Sequence, residues 1–302
     1  MSKTILTALM AVFTVFAAVA GETVKMVWPF GPVAATNPYR NIIEQANAKQ
    51  TQHQFVLDFA SGAGGTVAVN TVANASAPAL LAHSAAFFVN PKISESTPYN
   101  VNDWRVIRHI CDIQYPLASL KFRSMKDLPK DRPITVGVPG GLGSTTHLVQ
   151  QWFAHQHPTM VAVPYKTATA ALSDVMGGHL DMTVTLPGDV MGQYEAKTIN
   201  VLGVTGSRPI KDIPTFISQG YAGTEKLVGS YFIFANKKLD PALTESWKQL
   251  MNSVNQEDVN RISNQIYCTP AHTKPNDLDS AFTKIDGFWA YVATKNKQLT
   301  GK

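Results

Sequence analysis

Along this chain, runs of aliphatic residues keep ending in glycine, proline or hydroxyl residues that lead straight into helical stripes. Val24-Lys25-Met26-Val27-Trp28 stops at Pro29-Phe30-Gly31-Pro32, and a helix is expected from about Asn37, with Pro38 in its first turn and Ile42, Ile43 and Ala46 on one stripe. Gln54 to Phe59 reads as a second strand, followed by Ser61-Gly62-Ala63-Gly64-Gly65 and a helical stretch from Thr66. Leu80-Leu81-Ala82 is a short third strand ending at His83-Ser84. The pattern resumes at Ile134 to Val138, which precedes Pro139-Gly140-Gly141-Leu142-Gly143-Ser144 and another helix. Met160 to Val163 follows, then Pro164-Tyr165-Lys166 and a helix over Ala170 to Met176 that Gly177-Gly178 stops. Met182 to Thr185 and Val201 to Thr205 complete the strands. Alternation of this kind predicts an α/β fold with largely parallel sheets, in which ligands collect at the carboxyl ends of the strands.

Two stretches read as passages between halves of the molecule: the long strand-like run Trp104 to Phe122, and Gly229 to Ala235. Two such passages make residues 21–112 and 226–302 one lobe and residues 113–225 the other. The C-terminal part is expected to be helical over Pro241 to Val254 and Asp277 to Thr294.

The N-terminus assigns a compartment. Lys3 precedes the apolar stretch Ile5 to Ala18, and Ala18-Val19-Ala20 fits the small-x-small rule, so a signal peptide cleaved after Ala20 is expected. The stretch is shorter than the roughly 20 residues that span a bilayer. A formal net charge of +5 raises the question of nucleic acid, but the basic residues are scattered, with no run beyond Lys237-Lys238. Cys111 and Cys268 are the only cysteines and form neither a C-x-x-C nor a Cys/His pair, which argues against zinc or a thioredoxin-type site. In an exported chain they can pair. The sequence leaves that open, while placing both in one lobe near a passage.

The turn over residues 139–148 resembles several chemical motifs and completes none. A P-loop needs a lysine after its last glycine, and here Ser144 follows Gly143. A dinucleotide fingerprint needs a third glycine, and position 146 is Thr146. Ser144 and His147 lie on one helical turn, the wrong arrangement for a nucleophile elbow. No cofactor is therefore expected. What remains is a helix start whose first N–H groups lack intrahelical partners and carry the positive end of the macrodipole, suited to a carboxylate without lysine or arginine. Plain N-capping by Ser144 or Thr145 explains the same residues, and His147 reads as a packed first-turn side chain. Recurrence favours a ligand: Pro29 to Asn37, Ser61 to Gly65 and His83-Ser84 offer similar loops at other strand ends.

The ordered set of loops resembles the solute-binding proteins of tripartite tricarboxylate transporters, the TctC or Bug family. Those proteins open with a Pro-Phe-x-Pro-Gly-Gly-x-Thr-Asp loop, here "PFGPVAATN"; their Gly-Ala-Gly-Gly turn is matched by "SGAGGTVAVNTVA". Their Gly-x-Gly-x-x-x-His-Leu turn corresponds to "GLGSTTHL", and "VPYKTATAALSDVMGGHLD" and "LGVTGSRPIKDIPTF" follow in the family's order.

The resemblance implies a two-lobed periplasmic binding protein fold, type II-like, each lobe a mixed, mostly parallel sheet flanked by helices, with the ligand cleft between. It implies no enzyme, but capture of a small organic carboxylate, a di- or tricarboxylate or a relative, for the membrane permease subunits of such a transporter. The expected ligand-binding residues are Phe30, Thr36 and Asn37; Ser61, Gly62 and Ala63; His83 and Ser84; Gly143, Ser144, Thr145, Thr146 and His147; and Tyr165 and Thr185. Departures bear on the ligand. Val33-Ala34 replace a glycine pair, Asn37 replaces an aspartate, and Val184-Thr185 stand where the family has Phe-Asp-Asn, so two acidic groups are missing and a plain carboxylate is favoured. Two other readings stay open: an exported hydrolase using Ser144 or Ser84 with His147 or His83, and a binding protein that reports to a membrane sensor.

Overall fold

The protein's structure, a computed structural model, describes residues 21–93 and 97–300. The apolar N-terminal stretch and its expected cleavage after Ala20 lie outside the described residues.

The first sheet begins with β1 (Glu22–Trp28), followed by α1 (Asn37–Lys49), β2 (His53–Phe59), α2 (Thr66–Ala73), β3 (Ala79–His83) and α3 (Ala86–Ile93). β1 lies between β2 and β3 and runs parallel to both, with Val24 beside Phe55 and Met26 beside Leu80. Helices cover both faces of such strands, which is why Met26, Val27 and Trp28 are buried in succession. β4 (Trp104–Ile113), β10 (Gly229–Asn236) and the short β11 (Cys268–Pro270) complete the order β11-β4-β10-β3-β1-β2, and β10 is antiparallel to β3 and β4.

The second sheet, in the order β7-β6-β8-β5-β9, uses β5 (Pro116–Ser119), β6 (Ile134–Pro139), β7 (Met160–Tyr165), β8 (Met182–Val184) and β9 (Asn200–Val204). Here β6 pairs in parallel with β7 and β8, and β5 is antiparallel to β8 and β9. Its helices are α4 (Thr145–Ala154), α5 (Ala168–Met176) and α6 (Pro187–Glu195). Both sheets are thus mixed: each keeps a parallel core and adds antiparallel strands beside the passages. After β10 the chain forms α7 (Pro241–Asn252), α8 (Gln256–Gln265) and α9 (Leu278–Thr300). α9 packs on α3 and β4 and reaches α4.

The expected strand Trp104 to Phe122 is two strands in different sheets, with only Gln114 and Tyr115 between them. The second expected passage is corrected. Gly229 to Ala235 belongs wholly to β10, and the return runs through residues 205–228. Every residue of β10 is buried, so its unbroken apolar run reflects a central strand covered on both faces. The outgoing and returning passages are tied together: the Tyr115 N–H donates to Thr205 Oγ1 at 2.8 Å, the Thr205 N–H donates to the Tyr115 carbonyl at 3.1 Å, and the Gln114 amide donates to the Thr205 and Arg208 carbonyls.

Beside these passages Cys111 and Cys268 form a disulfide between β4 and β11, with Cα atoms 5.6 Å apart. The second sheet has a different brace. Asp181, just before β8, accepts from Arg132 Nη1 at 2.8 Å, Lys121 Nζ at 2.9 Å and the Thr135 N–H at 3.1 Å. Burial pushes its carboxyl up, but the two cations and the N–H outweigh that and hold it well below the usual carboxylate range.

Candidate functional site

A cleft open to solvent lies between residues of the two sheets. Its first wall is aromatic and comes from the carboxyl end of β1, the passage between β4 and β5, and β10: Trp28, Phe30, Tyr115 and Tyr231. Trp28 packs edge-on against Phe30 and Tyr231, at ring separations of 5.6 and 5.7 Å, and against Tyr39 at 5.1 Å. Ser84, at the end of β3, completes this side. The opposite wall is built from Pro139, Gly140, Ser144, Thr145 and Thr146 after β6, Lys166 and Thr167 after β7, and Thr185 and Asp189 after β8.

The β6–α4 turn works as follows. Gly140 and Gly143 have φ of 82° and 86°, a region that side chains rarely adopt. A Cβ on Gly140 would stand 3.4 Å from a ring carbon of Phe30, so glycine also permits close approach to the opposite loop. The Ser144 hydroxyl caps α4, accepting the His147 N–H at 3.3 Å, donating to the Gly141 carbonyl at 2.7 Å and meeting Thr146 Oγ1 at 2.8 Å. Thr146 Oγ1 in turn donates to the Pro139 carbonyl at 2.6 Å. The Gly143 N–H is taken by His147 Nδ1 at 3.1 Å. As the first two residues of the helix, Thr145 and Thr146 have N–H groups with no intrahelical acceptor, at the positive end of the dipole. They are the donors that remain for an anion.

Among the expected site residues, Phe30, Ser84, Ser144, Thr145, Thr146 and Thr185 come together on the cleft. The others do not line it. Thr36 is buried with its hydroxyl donating to the Val33 carbonyl at 2.7 Å, and Asn37 is exposed on α1. Ser61, Gly62 and Ala63 are exposed. His83 lies behind Phe30, fully buried; burial lowers its pKa to about 4, so it is neutral, with Nδ1 3.0 Å from the Ser84 carbonyl. Gly143 packs toward Ile93, and a Cβ there would stand 3.3 Å from its Cδ1. Tyr165 turns away to donate its hydroxyl to Asp174.

Neither serine–histidine pair has a relay. Ser144 bonds the His147 backbone rather than its ring, whose Nδ1 is engaged by Gly143, and the His83 ring faces a carbonyl. Nucleophilic chemistry needs the serine hydroxyl within reach of a ring nitrogen free to accept its proton. The described residues also contain no group of three or more His, Cys, Asp or Glu that could hold a metal.

Residues 39–261 match the profile of the Tripartite tricarboxylate transporter family receptor. The chain belongs to this family. It is also similar to a curated relative, the UPF0065 protein in the tcbD-tcbE intergenic region of Pseudomonas sp. (strain P51), 24% identical over 283 residues that span 88% of this chain and 84% of that protein. Among solved structures, R. palustris Rpa4515 with adipate superposes with a TM-score of 0.79 at 22% identity, covering 91% of this chain and 97% of that one. MatC (Rpa3494) from Rhodopseudomonas palustris with bound malate gives 0.78 at 16% identity, covering 90% and 99%. These likenesses establish the periplasmic binding protein fold.

Sequence reasoning missed Trp28, Tyr115, Lys166, Asp189 and Tyr231 on the walls of this receptor's cleft. Tyr115 and Tyr231 sit on the two stretches read as passages, and an aromatic residue beside a passage between sheets is the signal that was available. Lys166 and Asp189 follow the ends of β7 and β8, where a search limited to glycine and hydroxyl clusters does not look.

Proposed function

We propose that this protein is an extracytoplasmic receptor that captures a small organic carboxylate in the cleft and delivers it to the membrane permease subunits of a tripartite tricarboxylate-type transporter. In this reading a signal peptide is removed after Ala20 and the mature chain works in the periplasm. Residues 21–112 and 226–302 act as one lobe and residues 113–225 as the other, hinged where Tyr115 and Thr205 are bonded. It binds without turnover.

The observation that carries the reading is the start of α4. Its free Thr145 and Thr146 N–H groups face a wall of aromatic residues, so a carboxylate can be held by directed donors where water is largely displaced. Thr185 strengthens it: fully buried on the cleft, its hydroxyl finds no hydrogen-bond partner among the described residues. The two structural relatives were solved with small carboxylates, adipate and malate, which supports this class of ligand.

Differential scanning fluorimetry against a panel of mono-, di- and tricarboxylates and amino-substituted carboxylates, followed by calorimetry on each hit, tests this. A ligand present at about a hundred times its Kd adds about 2.7 kcal/mol to stability, a shift of several degrees. A flat response across the whole panel sinks the proposal.

A further inference from the structure

The cleft holds an acidic group that its loops do not satisfy. Asp189 stands at the third position of α6, beside Tyr231, and lines the cleft. No hydrogen bond or ion pair with another described residue engages its carboxylate. A carboxylate in a first turn suits the helix dipole, and that alone would explain an aspartate left in solvent. This one is not left in solvent. Burial lifts its carboxyl to about 6, with no cationic side chain offsetting the effect, and Lys166, which also lines the cleft, is exposed. The turn is also fixed in place, because Pro187 opens the helix and Gly188 packs near Ile266 and Ala34.

Two further observations bear on what would meet this group. The aromatic wall of Trp28, Phe30, Tyr115 and Tyr231 shares the cleft with Asp189, and aromatic faces attract cations. A second carboxylate on the ligand would face the Asp189 charge in a partly desolvated site, and the cation that lines the cleft, Lys166, is exposed and does not offset that charge.

We propose that the ligand is a zwitterion, a carboxylate that also bears an ammonium group, with its carboxylate at the start of α4 and its cationic nitrogen between Asp189 and the aromatic wall. This rests on the carboxylate-capture reading above and narrows its ligand class.

The test is calorimetry near neutral pH on matched pairs that differ by the amine: aspartate and succinate, and glutamate and glutarate. The amine-bearing member of at least one pair binds tighter by about tenfold or more, the effect of one charge-assisted contact. Asp189→Asn reverses the order, weakening the amine-bearing ligand by a similar factor and strengthening its dicarboxylate counterpart. Dicarboxylates that outbind their amine-bearing analogues in the native protein, or an amine preference that survives Asp189→Asn, overturn the zwitterion proposal and leave carboxylate capture standing. No binding by either member of any pair, nor by any other carboxylate, overturns both. Melting curves of the ligand-free variant report its folding, and Asp189→Ser serves in its place if the asparagine variant does not fold.

Discussion

The two walls of the cleft are made of different materials. Trp28, Phe30 and Tyr231 on one side belong to strands and strand ends, and the Trp28 ring braces Phe30, Tyr231 and Tyr39 at 5.1–5.7 Å. On the other side, Ser144 to Thr146, Thr167 and Thr185 belong to loops and helix starts, and their polar atoms are fixed by hydrogen bonds or left free. An aromatic wall displaces water and strengthens every polar contact opposite it, but gives little direction. The hydroxyl and N–H wall gives direction and would bind weakly if water competed freely. Affinity and orientation are therefore supplied from opposite sides and combine only when both meet one ligand. The supports differ in the same sense, a covalent staple behind the aromatic wall and an ion cluster behind the polar one.

The largest effect is expected at the staple. The disulfide closes a loop of 157 residues between buried cysteines, for which chain-entropy reasoning gives about 4–5 kcal/mol. Replacing Cys111 and Cys268 together by alanine should lower stability by about that amount. Hydrogen exchange should locate the loss in β4, β10 and β11, with β6, β7 and β8 keeping their protection. Equal loss in both sheets would show that the two supports are not separate.

The matching break on the other side is Asp181→Asn, which leaves Arg132 and Lys121 without their carboxylate. Asp181 is buried, but both cations are nearly half exposed, so the cost should be about 2–3 kcal/mol, below that of a fully buried pair. The pH dependence has a definite sign. The folded pKa lies below the unfolded one, so the stabilisation is present above about pH 4 and is lost as pH falls toward the folded value. Acid titration of the native protein should therefore lose stability more steeply than the variant in that range. Parallel acid profiles would remove Asp181 as the brace.

How much of this was legible in the sequence follows the same division. Strands and helices with a clear period were readable, and so was the β6–α4 turn, because glycines at positive φ and a serine cap leave a local signature. α8 was not anticipated, since its polar run Gln256 to Gln265 buries only Val259 and Ser263. The polar wall was partly readable for the same local reason, and Ser144, Thr145, Thr146 and Thr185 reach the cleft. The aromatic wall was mostly hidden. Tyr115 and Tyr231 come from positions far apart in the chain, and only the pairing of β4 with β10 makes them neighbours. Ser61, Gly62 and Ala63 carry a convincing local pattern, yet they are exposed and do not line the cleft, because a strand-end loop reveals its form without revealing which way its side chains face.

A finer test uses Thr185→Val, nearly the same in shape. The Thr185 hydroxyl is buried without a partner, a condition that costs about 1–3 kcal/mol in the ligand-free protein. Valine should therefore raise the ligand-free melting temperature, by about 1 kcal/mol of stability, while weakening ligand binding by about tenfold. Opposite signs in the two measurements are the expected result. A variant less stable and equally tight in binding would mean that the hydroxyl serves the fold and not the ligand.

The smallest effect separates cap from contact at Ser144. Its hydroxyl already accepts the His147 N–H and donates to the Gly141 carbonyl, so its hydrogen-bonding capacity is largely spent inside the turn. Loss of an N-cap to alanine costs about 1 kcal/mol, and to glycine only a few tenths. Ser144→Ala should thus lower stability by about 1 kcal/mol and Ser144→Gly by much less. Affinity should fall only a few-fold in both, because the Thr145 and Thr146 N–H groups are disturbed but not removed. Melting curves and calorimetry on the pair decide it. If both variants lose affinity by about tenfold while their stabilities differ, the hydroxyl touches the ligand directly, and the polar wall is larger than its free N–H groups. If affinity instead tracks stability, Ser144 acts only by holding the helix start in place, and the direction of binding comes from the backbone.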